Sequence, residues 1–274
     1  MQTARIQSLD TPRPTAGAAS AILLDGLEKR YDTRDGKRIQ ALGPISLDVA
    51  EGEFITIVGP SGCGKSTLLR MLAGLIERSA GDIRIRGRSV TGPQADIGMV
   101  FQSPVLLPWK TALANVMVPA DVLGLDRKAA ERRGRELLDM VGLGDFCGKY
   151  PNELSGGMQQ RVAIARALLH EPTILLMDEP FGALDAMTRE TMNEELRRIW
   201  RDSGKTIIFV THSIPEAVFL GSRVLVLTPR PGCIADLVDV TLPDDRDLDS
   251  MGSDRFGTIT RRIRTLFNAR GGLE

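Results

Sequence analysis

An α/β fold with a parallel central sheet is what this sequence predicts, and three observations carry it. The short β-branched run Phe54-Ile55-Thr56-Ile57-Val58 passes directly into Gly59-Pro60-Ser61-Gly62-Cys63-Gly64-Lys65-Ser66-Thr67, after which Leu68, Leu69, Leu72, Leu75 and Ile76 recur at helical spacing. Two further apolar runs, 174–177 and 207–210, end in Asp178-Glu179 and in Thr211-His212. Buried parallel strands read as unbroken apolar runs, and ligands of such sheets collect at the carboxyl ends of the strands. Finally, strand-like segments with turn residues precede the first run, and a helical stretch of about 103–167 separates it from the later ones. An N-terminal antiparallel β region and a helical insertion are therefore expected around the parallel core.

Bulk properties narrow the class. The 274 residues suffice for one or two domains with a sizeable core. Lys plus Arg and Asp plus Glu both number 35, so no global basic field points to nucleic acid. The longest apolar runs fall far short of the ~20 residues a membrane helix needs. Cys63, Cys147 and Cys233 lack paired spacing, which disfavours a disulfide framework or a metal cluster and fits a reducing cytoplasm. Residues 1 to about 20, rich in Thr, Pro, Ala and Ser and without a secretory apolar run, are expected to be a disordered tail.

In chain order, Ile22-Leu23-Leu24 and Ile45-Ser46-Leu47-Asp48-Val49 read as short strands, with turns at Asp35-Gly36 and Glu51-Gly52. Tyr31 is placed between them, and its ring suits either stacking on a purine or a half-buried strand position. The helix after the glycine loop is expected to stop at Gly81. Residues 82–87 then alternate as an edge strand should, and the strand 97–101 ends at Gln102. Past Pro104, Pro108 and Pro119, Asp126 is a candidate N-cap for a helix with Leu137, Leu138 and Val141 on its apolar face, closed by Gly142.

The insertion closes with Leu154-Ser155-Gly156-Gly157-Met158-Gln159-Gln160, where Ser155 is the expected N-cap of the next helix. Two glycines in a first turn cost about 1 kcal/mol each relative to Ala. They suit a bare-backbone anion site or a flexible cap alike. Asp185 is expected to cap a helix that Gly204 ends, and Pro229-Arg230-Pro231-Gly232 reads as a hairpin-like turn. Of the two histidines, His170 reads as structural, whereas His212 repeats the strand-end position of Glu179. The tail is an amphipathic helix with Phe256, Ile259, Ile263, Leu266 and Phe267 on one side and Arg261, Arg262 and Arg264 elsewhere. Its apolar face is expected to pack on the parent domain rather than on a membrane.

The chemistry follows from the loop. Residues 59–66 fit the phosphate-binding pattern G-x-x-x-x-G-K-[ST], for which a chance match in a chain this long is roughly 1%. Gly59, Gly62 and Gly64 let the backbone curl around an anion at a helix N-terminus. Lys65 reaches the β- and γ-phosphates, and the Ser66 hydroxyl suits Mg²⁺. Asp178 suits the Mg²⁺ shell and Glu179 the base that polarises water. Cys63, at the helix N-terminus, is expected to carry a lowered thiol pKa and to react readily.

Taken in order, these elements resemble the ATP-binding subunit of an ABC transporter over essentially all of residues 21–240. The phosphate loop, Gln102, "LSGGMQQ", "ILLMDEP", "GALD" and His212 all match. The resemblance implies a P-loop NTPase core of the ABC ATPase fold, with the helical subdomain inserted at about 103–167 and a C-terminal tail over 241–274. It implies that Tyr31 stacks on adenine and that Ser155, Gly156 and Gly157 contact the γ-phosphate held by the other copy. Gln102 is implied as the metal and water sensor, Asp185 as a cross-dimer contact and His212 as the switch histidine.

"FQSPVLLPWKTALANV", "DEPFGALDAMTRE" and "LTPRPG" look most like the nitrate, sulfonate and taurine-type importer branch. That implies ATP and Mg²⁺, a homodimer in the ATP-bound state, integral-membrane permease subunits and an extracytoplasmic solute-binding protein. It also implies a peripheral place on the cytoplasmic face of the inner membrane. Trp109 falls where the family meets its membrane subunit, or is a core aromatic. A soluble ABC-type ATPase would be expected to show a long heptad insertion or a tandem second cassette, and a P-loop kinase would not need "LSGGMQQ".

Overall fold

The computed structural model describes residues 19–33 and 36–268, so all but the end of the expected tail over 1 to about 20 lies outside the described residues. Strands β1 (Ser20–Asp32) and β2 (Arg38–Ala50) form a long antiparallel hairpin ahead of β3 (Phe54–Val58) and α1 (Lys65–Leu72). Next come β4 (Ala80–Ile85), β5 (Arg88–Ser89) and β6 (Ile97–Val100). Helices α2 (Ala112–Val116), α3 (Val118–Leu123), α4 (Arg127–Met140) and α5 (Gly156–Leu168) lie between β6 and β7 (Ile174–Asp178). The chain continues through α6 (Ala186–Ser203), β8 (Thr206–Val210), α7 (Ile214–Leu220), β9 (Arg223–Leu227), β10 (Ile234–Asp239) and α8 (Asp254–Asn268).

Among the described residues these strands make two sheets: an antiparallel one ordered β2-β1-β4-β5 and a larger one ordered β10-β9-β3-β8-β7-β6. In the larger sheet the strands from β9 to β6 run parallel, and β10 is antiparallel to β9. Every residue of β3, β7 and β8 is buried. Side chains alternate between faces, so Phe54, Leu175, Met177 and Phe209 join the helices of one layer, while Ile55, Ile57, Leu176 and Ile208 pack with α1 and the smaller sheet.

Helix ends follow the expected chemistry. Asp126, Ser155 and Asp185 accept hydrogen bonds from the N–H groups of Ala129, Met158 and Thr188 at 2.8, 3.3 and 3.0 Å. Gly204, with φ of 61°, ends α6.

Three sequence expectations are corrected. Tyr31 lies within β1, opposite Ile39, because the antiparallel ladder resumes after the bulged stretch and runs on to Asp32 and Arg38. Helix α1 stops at Leu72, not at Gly81: Gly74 has φ of 69°, and a Cβ there would come within 2.2 Å of the Gly92 carbonyl oxygen. β4 is flanked by β1 and by the two-residue β5, so it is not the edge of its sheet.

Helix α8 buries Phe256, Ile259 and Ile263 in the core layer that contains α7. The segment leading to it is held by two buried guanidinium groups. Arg246 donates to the carbonyls of Phe219, Gly221 and Pro243 at 2.6, 2.5 and 3.1 Å. Arg197 donates to Leu220 and Asp244 at 2.8 and 2.6 Å. Burial pushes Arg246 down to about 9, with the nearby Arg197 charge adding to the fall, and pushes Arg197 down to about 10. Charge at the end of α7 here satisfies backbone carbonyls in place of a carboxylate. Arg246→Ala strands those carbonyls, and we expect it to lower stability by about 2–4 kcal/mol. Urea unfolding measures this, and a loss below about 0.5 kcal/mol would show that the clamp is dispensable.

Candidate active site

The loops that follow β3, β7 and β8 leave the sheet side by side. β8 pairs in parallel with both other strands, and Val210 stands opposite Ile57 on one side and Asp178 on the other. In the first loop Gly62 and Gly64 have φ of 74° and 104°, and a Cβ on Gly64 would lie 2.7 Å from Leu42 Cδ2. Gly64 precedes α1 without a side-chain cap, so the first N–H groups of the helix open onto the loop.

Lys65 is buried, and its Nζ donates to the carbonyls of Gly59 and Pro60 at 2.8 and 3.1 Å. Ser66 Oγ donates to Asp178 Oδ1 at 2.9 Å, tying the loop to the end of β7. Burial pushes the Asp178 carboxyl above the usual range. The Ser66 hydrogen bond opposes the rise and the Glu179 charge adds to it.

Glu179 is held in an uncommon backbone conformation, with φ of 47° between Asp178 and Pro180. Its N–H donates to Val210 O at 3.0 Å, which fixes the turn. Its Oε2 accepts from Gln102 Nε2 at 3.3 Å and lies 3.4 Å from His212 Nδ1. Backbone strain of this kind persists only where the surroundings enforce it, and it clusters at functional sites.

Ser61, Gly62, Gly64, Lys65, Ser66 and Thr67, with Gln102 and Glu179, line one wall of a cavity of about 460 Å³, within the range of small-molecule pockets. Tyr31, Ile39 and Ala41 of the smaller sheet form the opposite wall, and Lys29 Nζ sits 4.9 Å from the centre of the Tyr31 ring. Gly59 and Pro60 reach the cavity only through the lysine they hold. Asp178 stands behind Ser66, and His212 behind Glu179.

Ser155, Gly156, Gly157 and Asp185 do not line this cavity. The start of α5 packs against the loop before α6: a Cβ on Gly157 would meet Leu184 Cδ2 at 3.2 Å. Ser155, Gly156 and Asp185 are exposed there on a shared face.

Ile39, Ala41 and Arg230 line the cavity without having been singled out from the sequence. For Arg230 a signal existed, a lone cation in a Pro- and Gly-framed turn, but its nearness to the loop is a tertiary fact. Trp109 is 70% exposed, which removes its reading as a core aromatic. His170 is half-buried, and burial lowers its pKa, as suits a structural histidine.

The expectation for Cys63 is corrected. The side chain is fully buried beneath the loop, with Sγ 2.7 Å from where a Cβ on Gly59 would sit. Burial pushes the thiol up and outweighs the Lys65 charge and the backbone hydrogen bonds that favour thiolate.

A glycine loop bonded to a buried aspartate, beside a strained glutamate held by a glutamine and a histidine, defines a nucleoside triphosphatase of the P-loop class. A family model described as ABC transporter matches residues 42–182. An ABC transporter ATP-binding protein of Methanocaldococcus jannaschii is 50% identical over 217 residues, covering 79% of this chain and 81% of that protein. A taurine import ATP-binding protein of Rhizobium johnstonii is 46% identical, over 87% and 93% of the two chains. An aliphatic sulfonates import ATP-binding protein of Bacillus cereus is 42% identical, over 92% and 97%. The solved dimeric structure of an ATP-binding cassette in a post-hydrolysis state, bound to ADP and Pi, superposes with a TM-score of 0.74 at 35% identity, covering 81% of this chain and all of that one. The chain belongs to the ABC transporter family, and it is an ATP-binding, ATP-hydrolysing cassette with the ABC ATPase fold.

Because the Cys63 thiol is buried and protonated, we expect native protein at neutral pH to alkylate there at least about ten times more slowly than urea-unfolded protein. Mass spectrometry of iodoacetamide-treated samples reads this. Fast stoichiometric labelling at Cys63 in the native chain would show that the loop opens.

Proposed function

We propose that this chain powers an importer of a small solute of the nitrate, sulfonate or taurine type, working as a pair of copies beneath permease subunits that receive the solute from an extracytoplasmic binding protein. The observation that carries the catalytic part is the Glu179 carboxylate, held between Gln102 and His212 beside Lys65 and Ser66 in one cavity. The solute class rests on the relatives named as taurine and aliphatic sulfonates importers. On this reading residues 21–240 are the nucleotide-binding domain, 103–167 its helical subdomain and 241–274 a C-terminal tail.

Tyr31 stacks on adenine, and the 59–67 loop cradles the triphosphate with its bare N–H groups. Lys65 exchanges the carbonyls of Gly59 and Pro60 for the β- and γ-phosphates. Ser66, Asp178 and Gln102 offer hard oxygen donors of the kind Mg²⁺ takes, and the 2.9 Å contact between Ser66 and Asp178 supports their convergence. When bound, the ion neutralises phosphate charge. Glu179 takes a proton from the attacking water as its oxygen bonds to the γ-phosphorus and the bond to the ADP oxygen breaks. Gln102 and His212 orient the carboxylate.

Ser155, Gly156 and Asp185 are exposed away from their own cavity, with Gly157 half-buried beside them, which supports their serving the γ-phosphate and the interface of a second copy. Exposed Trp109 offers a contact to the permease, and the likeness to import ATP-binding proteins supports a peripheral place on the cytoplasmic face of the membrane.

Glu179→Gln keeps shape but removes the base, so ATP should bind and persist, and a ligand that favours the paired state drives association by mass action. We expect an ATP-dependent dimer of Glu179→Gln in sedimentation, with turnover at least ~100-fold lower, and we expect added Ser155→Arg to abolish the dimer. A Glu179→Gln chain that stayed monomeric at high concentration with saturating MgATP would count against the shared site.

A further inference from the structure

We propose that Arg230 is a nucleotide-contacting residue, a second fixed cation that donates to the triphosphate from the side of the loop opposite Asp178. The proposal rests on the ATP-binding reading of this cavity and adds to it a residue outside the six motif elements.

The turn after β9 is built against the phosphate loop. Since β9 neighbours β3 on the side away from β8 and β7, its carboxyl end reaches the loop from the flank that the acidic strand does not occupy. Gly232 makes the contact close: its N–H donates to Ala41 O at 3.1 Å, its carbonyl accepts from Gly43 N at 2.9 Å, and a Cβ on it would fall 2.0 Å from Cys63 O. Within the turn, Thr228 N donates to Cys233 O at 2.9 Å and Thr228 Oγ1 to Pro231 O at 3.1 Å. A turn bonded this way fixes the backbone that carries Arg230, so its exposed side chain starts from a set position beside Gly62.

Arg230 Nε donates to Gly62 O at 3.3 Å, at the crest of the loop, and the side chain lines the cavity. Among the described residues it has no carboxylate partner. A guanidinium has five N–H donors in a rigid fork, and one spent on Gly62 leaves the rest for an anion. A triphosphate seated there calls for a second cation. The cavity and its rear wall hold two carboxylates, Asp178 and Glu179, against Lys65, and a triphosphate brings several more negative charges. Lysine at this position would keep the charge and lose the fork. Glutamine would keep a donor for Gly62 and lose the charge.

These two substitutions separate a phosphate contact from a merely structural hydrogen bond. Displacement of a fluorescent nucleotide from the full chain gives Kd for ATP and ADP at two ionic strengths, with circular dichroism as the check on folding. We expect Arg230→Ala and Arg230→Gln to weaken both nucleotides roughly 5- to 20-fold and to flatten the salt dependence, and Arg230→Lys to stay within about 3-fold of wild type. Kd values within twofold of wild type for Ala and Gln, or Gln retaining affinity while Lys loses it, would overturn the proposal and leave Arg230 as a prop for Gly62. If the wild-type chain bound no ATP, the reading of the cavity itself would fall. Intact wild-type binding with indifferent Arg230 variants would remove this inference alone.

Discussion

The register by which β8 joins β3 to β7 is the constraint on which the site depends. Val210 pairs toward both neighbours, so Val58, Asp178 and Thr211 reach the end of the sheet together. A one-residue slip in either pairing would turn side chains to the opposite face and move Asp178 away from Ser66. Full burial of all three strands on both faces is what makes such a slip costly. Precision at the polar end is thus secured by apolar contacts along the strands.

At that end the geometry converges on one carboxylate. Glu179 is the residue whose backbone is strained, whose N–H is anchored to β8 and whose Oε2 meets side chains from two other loops. Gln102 lies just past β6 and leads into the helical stretch, while His212 lies just past β8 and leads into α7, whose far end the buried Arg197 and Arg246 hold. Gln102 and His212 thus join the helical layer and α7 directly to the carboxylate. Lys65 and Ser66 are likewise satisfied by the protein's own oxygens, so a bound anion competes with Gly59, Pro60 and Asp178 for these donors.

Much of this was legible in the sequence, because unbroken apolar runs ending in acids or histidine and a glycine loop before a helix are local signals. The N-caps Asp126, Ser155 and Asp185 and the stop at Gly204 were legible for the same reason. What the chain order could not carry were properties set by distant neighbours. The end of α1 depends on Gly74 meeting Gly92, the length of the β1–β2 hairpin on a ladder that resumes past its bulges, and the inertness of Cys63 on burial that a motif does not encode. A helix N-terminus argues for thiolate, and desolvation argues against it more strongly. Arg230 escaped notice because the turn that holds it is 168 residues from Gly62.

The cavity has one wall from each sheet: Tyr31, Ile39 and Ala41 belong to the antiparallel layer, and the loop and Glu179 to the parallel one. The parallel layer carries the loop and the carboxylate, and the antiparallel layer closes the other side of the space. Any molecule that fills the space touches both sheets at once, so the seam between the layers is part of the site. A shift of one sheet against the other would change the width of the cavity and, with it, what the cavity can hold.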